Sequence, residues 1–69
     1  MEQTITIGEK MVRTSFNPSN DSVVDQIKQK SAELINLIET VKEKDSRCAE
    51  YGQSLIETAC MYGVKAATA

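Results

Sequence analysis

Arg13 and Arg47 are the only arginines of this chain, and Phe16 is its only phenylalanine. A guanidinium offers a planar fork of donors suited to bidentate phosphate contacts. Phe16 stands in the polar run Arg13-Thr14-Ser15-Phe16-Asn17-Pro18-Ser19, beside a proline turn. Two readings of that ring stay open. It is either a hydrophobic staple pinning the chain to the helix that follows, or a platform for a nucleobase, where stacking is worth about 1–3 kcal/mol. Lys28 falls about two turns into that helix and, taken alone, is a solvated cation. Arg47 falls in the first turn of a second helix, where a cation opposes the helix dipole and invites a functional explanation. Lys65 falls in the last turn, where the dipole accounts for it. Glu57 reads as a solvated or ion-paired carboxylate, and Met61 and Tyr62, being adjacent, face different ways.

Enzymatic constellations are missing. The chain has no histidine to serve as a general base, neither cysteine has an evident activator, and no glycine-rich phosphate loop is present. No metal site is expected either, because Cys48 and Cys60 lack ligand-like spacing. Twelve residues apart on one helix, they would lie roughly 18 Å apart, far beyond disulfide reach. Two unpaired cysteines fit a reducing compartment. The Asn20-Asp21-Ser22 sequon reads as accidental, since no secretory signal is visible. No segment is long and apolar enough to cross a membrane. A net charge of −2, with both signs interspersed, argues against binding polymeric nucleic acid. It leaves room for a small anionic ligand.

The elements that must hold these side chains are helical. The expectation is an all-α fold: an antiparallel two-helix hairpin over residues 13–69, preceded by a short extended, flexible arm over residues 1–12. The alternation Thr4-Ile5-Thr6-Ile7, broken at Gly8, and that of Val12, Thr14 and Phe16 suggest the extended arm. The first helix is expected to start at Asn20 to Ser22 and to end near Glu43. Its stripe is Val24, Ile27, Ser31, Leu34, Ile38 and Val41, spaced 3, 4, 3, 4, 3, widened by Ile35 and Leu37. Lys44-Asp45-Ser46 makes the connection, with Asp45 or Ser46 capping the second helix. There the expected seam is Cys48, Gly52, Leu55, Ala59, Tyr62 and Ala66, small residues against the bulky ones of the first helix. Ile56, Cys60, Met61 and Val64 are then left as surface to be buried between protomers. At 69 residues the chain is too short to bury a sufficient core alone, so a symmetric helical homo-oligomer is expected.

Taken in order, these motifs resemble the hairpin domain of phage anti-CBASS and anti-Thoeris sponge proteins. The matching residues are Arg13, Phe16-Asn17-Pro18-Ser19, Val24-Asp25-Gln26-Ile27-Lys28, Leu34-Ile35, Arg47, Ile56-Glu57, Met61 and Val64-Lys65-Ala66-Ala67-Thr68. The resemblance implies a non-enzymatic protein without cofactors, typically a hexamer, acting in the cytoplasm of the infected host. It would bind cyclic di- or trinucleotide immune messengers intact. One class of ligand site would map to Arg13, Phe16, Asn17, Gln26 and Lys28. A second, on threefold axes, would map to Lys65 and Thr68, with Arg47 as an alternative. The sequence departs from the pattern at Tyr62, where the family often has Trp. It also lacks the additional N-terminal domain of the anti-Thoeris members, which favours cyclic oligonucleotides over ADP-ribose-derived messengers. The competing expectation is a structural or protein-binding helical oligomer with no nucleotide ligand.

Overall fold

The computed structural model describes residues 5–15 and 21–69, and all its regular elements are helical. The turn expected around Phe16, Asn17, Pro18, Ser19 and Asn20, and the start of the Thr4–Ile7 alternation, lie outside the described residues. Three α-helices follow in order, α1 (Ile7–Val12), α2 (Ser22–Glu39) and α3 (Ser46–Ala67), with one 3-10 turn at Lys42–Lys44 before α3.

Each helix begins on a side-chain cap that satisfies an otherwise orphaned N–H. Asp21 accepts from the Val23 N–H at 2.8 Å to start α2. Asp45 accepts from the Cys48 N–H at 3.0 Å to start α3. At α1, Thr6 and Glu9 form a reciprocal capping box: the Thr6 hydroxyl accepts from the Glu9 N–H at 3.2 Å, and the Glu9 carboxylate accepts from the Thr6 N–H at 3.0 Å. This box makes residues 7–12 a helix, where a short extended, flexible arm was expected over residues 1–12. The second helix of the chain also ends earlier than expected, at Glu39 and not near Glu43. The Thr40 hydroxyl donates to the Leu37 carbonyl at 2.6 Å, and the Thr40 N–H turns to Leu37 and Ile38, which tightens the last turn.

Helices α2 and α3 form the expected antiparallel hairpin. Gly63 lies under Ile27 and Gly52 lies near Ile38, at opposite ends of the pair. A Cβ at Gly63 would come within 3.3 Å of Ile27 Cγ2, so the small residue does permit close approach there. The seam, however, is not the one expected from the small-residue stripe. Ala49, Gln53 and Cys60 are buried and Ile56 and Val64 half-buried, whereas Cys48, Leu55, Ala59, Tyr62 and Ala66 are exposed. The two stripes are neighbours on one helix, and a third helix decides between them. Val12 of α1 joins Ala32, Ile35 and Cys60 in the core, with Ile7, Met11, Ile27, Ile56 and Val64 packed against it. Ile56, Cys60 and Val64 thus face inward within one protomer, and only Met61 of that expected set stays exposed. On α2 the buried line is Val24, Lys28, Ala32 and Ile35, while Leu34 and Val41 of the expected stripe are exposed.

The principal extents are 38, 34 and 12 Å. At about 10–12 Å for one helix with its side chains, the molecule is little more than one helix thick.

Candidate functional site

Where α1 ends, it meets α2 and α3 in an open groove of about 560 Å³. Arg13 and Lys28 stand on one side of it and Glu57, Thr58 and Met61 on the other, over a floor that includes Val12, Cys60 and Val64. Its lining holds two basic residues and one acidic one, although the chain as a whole is acidic.

Arg13 is the C-cap of α1 and the only non-glycine with positive φ among the described residues (φ 56°, ψ 61°). Left-handed geometry costs a non-glycine residue on the order of 1 kcal/mol and persists where neighbours hold it. Two contacts do so here. The Arg13 N–H donates to the Glu9 carbonyl, and the Arg13 carbonyl accepts from Lys28 Nζ at 3.1 Å. Lys28 is only 6% exposed and engages a further partner as well. It is therefore not the solvated cation of the local sequence reading. Its ammonium is built into the junction between α1 and α2, at the edge of the groove.

Of the expected site residues, the fold brings together Arg13 and Lys28. Phe16 and Asn17 follow Arg13 by three and four positions in the sequence and lie outside the described residues. Gln26 is on an exposed face of α2 and does not line the groove. Arg47 lines a separate hollow of about 420 Å³ with Cys48, Glu50, Tyr51 and Ser54 at the other end of α3. Lys65 and Thr68 end that helix: Lys65 Nζ lies 5.9 Å from the Tyr62 ring centroid, and the Thr68 hydroxyl donates to the Val64 carbonyl at 2.9 Å. Roughly 27 Å of helix separates Arg47 from Lys65, so one protomer does not bring them together.

Sequence reasoning missed the wall opposite Arg13. Glu57, Cys60, Met61 and Val64 recur at helical spacing on one face of α3, which is the signal that was available. Asp45, capping α3, has its carboxyl held below its ordinary range by hydrogen bonds from Cys48. The same carboxylate raises the exposed Cys48 thiol, chiefly through their hydrogen bond and then through its charge. A thiol kept protonated is a poor nucleophile. Among the described residues no cluster of His, Cys, Asp and Glu could hold a metal ion, and no helix is long and apolar enough to cross a membrane.

A family model described as "Acb2/Tad1, hairpin domain" matches residues 9–68, from within α1 to the residue that caps α3. The chain belongs to this family of anti-CBASS and anti-Thoeris sponges. Neither a curated protein nor a solved structure gave a significant match. The Acb2/Tad1 family binds and sequesters its ligands, and the matched span holds every expected site residue as well as both walls of the groove.

Proposed function

We propose that this protein captures cyclic di- or trinucleotide immune messengers intact and thereby silences bacterial anti-phage signalling, in the cytoplasm of the infected host. The observation that carries the reading is the convergence of Arg13 and Lys28 on one groove within a span matched by a sponge family. A cyclic dinucleotide has two phosphodiester charges and two base faces. Arg13 supplies a fork for phosphate, Lys28 supplies a second positive charge at the groove's edge, and Phe16 supplies a stacking surface. Asn17 and Gln26 are assigned to the same ligand from the family pattern.

The protomer acts in a homo-oligomer, which we take to be a hexamer. Leu34, Leu37, Leu55 and Tyr62 are exposed on a body one helix thick. Covering such a surface with further copies supplies the interior that one copy lacks. Threefold packing would also gather copies of Lys65 and Thr68, or of Arg47, around a cyclic trinucleotide. Mutual repulsion of like cations would then be relieved by the anionic ligand.

The same exposed apolar residues favour a second reading, a structural oligomer that binds no nucleotide. Calorimetry and thermal melting with a panel of cyclic di- and trinucleotides separate the two. At one hundred times the dissociation constant, a ligand adds about 2.7 kcal/mol, which raises the melting temperature of so small a domain by about 10 °C or more. Chromatography of the released ligand should return it unaltered, and native mass measurement should count copies and ligands. No heat and no melting shift across the panel at tens of micromolar would leave the structural reading standing.

A further inference from the structure

We infer that Asn36, at the end of α1 remote from the groove, is a positioning residue for Arg13: it anchors the start of α1 so that the helix presents its C-cap to the ligand. The inference rests on the reading of the groove as the ligand site.

Asn36 makes two hydrogen bonds across the helix pair. Its Oδ1 accepts from the Gly8 N–H at 2.8 Å, and its Nδ2 donates to the Thr6 hydroxyl at 3.0 Å. The backbone N–H can only donate, which fixes the amide oxygen toward Gly8 and the amide nitrogen toward Thr6. The Thr6 hydroxyl is then fully used, since it also donates to Glu9 Oε1 at 3.0 Å and accepts from the Glu9 N–H. The capping box that makes α1 a helix is thus tied to α2 through one side chain.

Shape reinforces this tie. At Gly8 the two backbones approach so closely that a Cβ would lie 2.7 Å from the carbonyl carbon of Ala32 and 2.7 Å from Asn36 Oδ1. Lys28, Ala32 and Asn36 recur at four-residue spacing and form one ridge of α2. Along it α1 runs antiparallel, with Asn36 at its start, Ala32 beneath Gly8 and Lys28 at its end. A rod held at one point pivots, and a rod held at two has a fixed line. Beside the apolar packing of Val12, Lys28 holds the end of α1; Asn36 supplies a second polar anchor at its start, about 12 Å along α2 from Lys28. The left-handed backbone at Arg13 keeps its carbonyl on Lys28 only while that line is kept.

Two readouts test this, the rate of tryptic cleavage after Arg13 without ligand and the calorimetric affinity for a cyclic dinucleotide. Asn36→Leu removes both bonds, and Gly8→Ala drives a methyl into the α2 backbone. Each should speed cleavage and weaken binding by about tenfold, the worth of one to two hydrogen bonds. Asn36→Asp keeps the acceptor for Gly8 but loses the donor to Thr6, and should fall between the wild type and Asn36→Leu. Gln53→Ala, at the hairpin tip, lowers the melting temperature without touching α1 and should leave both readouts unchanged at equal distance below melting. Unchanged cleavage in Asn36→Leu, or equal losses in Gln53→Ala, would overturn the inference. If the wild type binds no cyclic dinucleotide, the ligand reading fails, and the cleavage rates still decide whether Asn36 sets Arg13.

Discussion

Lys28 and Gln53 are the two buried polar side chains among the described residues, and both donate to a backbone carbonyl across a helix pair. Gln53 does so at the hairpin tip, where its Nε2 donates to the Ile35 carbonyl at 3.1 Å and to Glu39 Oε1 at 2.9 Å. Lys42 joins that corner through Glu39 at 3.8 Å and Glu50 at 3.3 Å. Lys28 does it at the α1 junction, on the Arg13 carbonyl. A neutral amide is enough to pin a carbonyl, as Gln53 demonstrates. Lys28 is pinned in the same way but also carries a charge, and it engages a further partner besides the Arg13 carbonyl. The comparison teaches that polar anchors of like geometry hold the hairpin tip and the α1 junction, and that only the one at the junction would respond to the proposed anionic ligand.

The sharpest way to break the comparison is Lys28→Met, which keeps the aliphatic stem and removes both the charge and the hydrogen bond to the Arg13 carbonyl. It should weaken cyclic dinucleotide binding by one to two orders of magnitude, as expected for a lost charged hydrogen bond of about 1.5–3 kcal/mol. Calorimetry that found affinity equal to the wild type would make Lys28 a second Gln53. The converse is Gln53→Ala, expected to lower stability by about 2 kcal/mol through lost hydrogen bonds and a small cavity. Melting should fall by roughly 8–16 °C, with ligand affinity kept within about twofold; a larger loss of affinity would mean that the tip and the groove are coupled.

The smallest effect concerns the α1 box. Hydrogen bonds from the Thr6 backbone and then its side chain hold the Glu9 carboxyl below its ordinary value of 4.5. A carboxyl whose pKa is lower in the folded state stabilises above its unfolded value, and that contribution is lost as pH falls through the folded one. Wild type should therefore lose melting temperature below about pH 4.5 slightly faster than Glu9→Gln, which has no carboxyl at that position to titrate. Parallel curves for the two proteins would show that the box does not depend on the carboxylate. Asp45 titrates in the same direction in both, so it cancels from the difference.

The hairpin was legible because α2 and α3 are long enough to express a period and because Asp21 and Asp45 stand where caps must stand. The face of α3 was not, because its two small, apolar stripes lie side by side and only the docking of α1 selects between them. Helix α1 has six residues, too few to establish a period, yet Thr6-Ile7-Gly8-Glu9 is a capping-box signature that could have been read in place of the alternation. The pairing of Arg13 with Lys28 came from resemblance. Spacing alone gives no hint of it, since the pair depends on a left-handed residue and on Gly8 admitting one backbone against another. Glu57 faced the groove from a position that local sequence presents as ordinary solvated surface.

The cap at the start of α3 has a consequence for handling the protein. Because Asp45 disfavours the thiolate of Cys48, this accessible sulfur should react sluggishly with maleimides and iodoacetamide at neutral pH. A dye intended for that position should attach faster as the pH is raised.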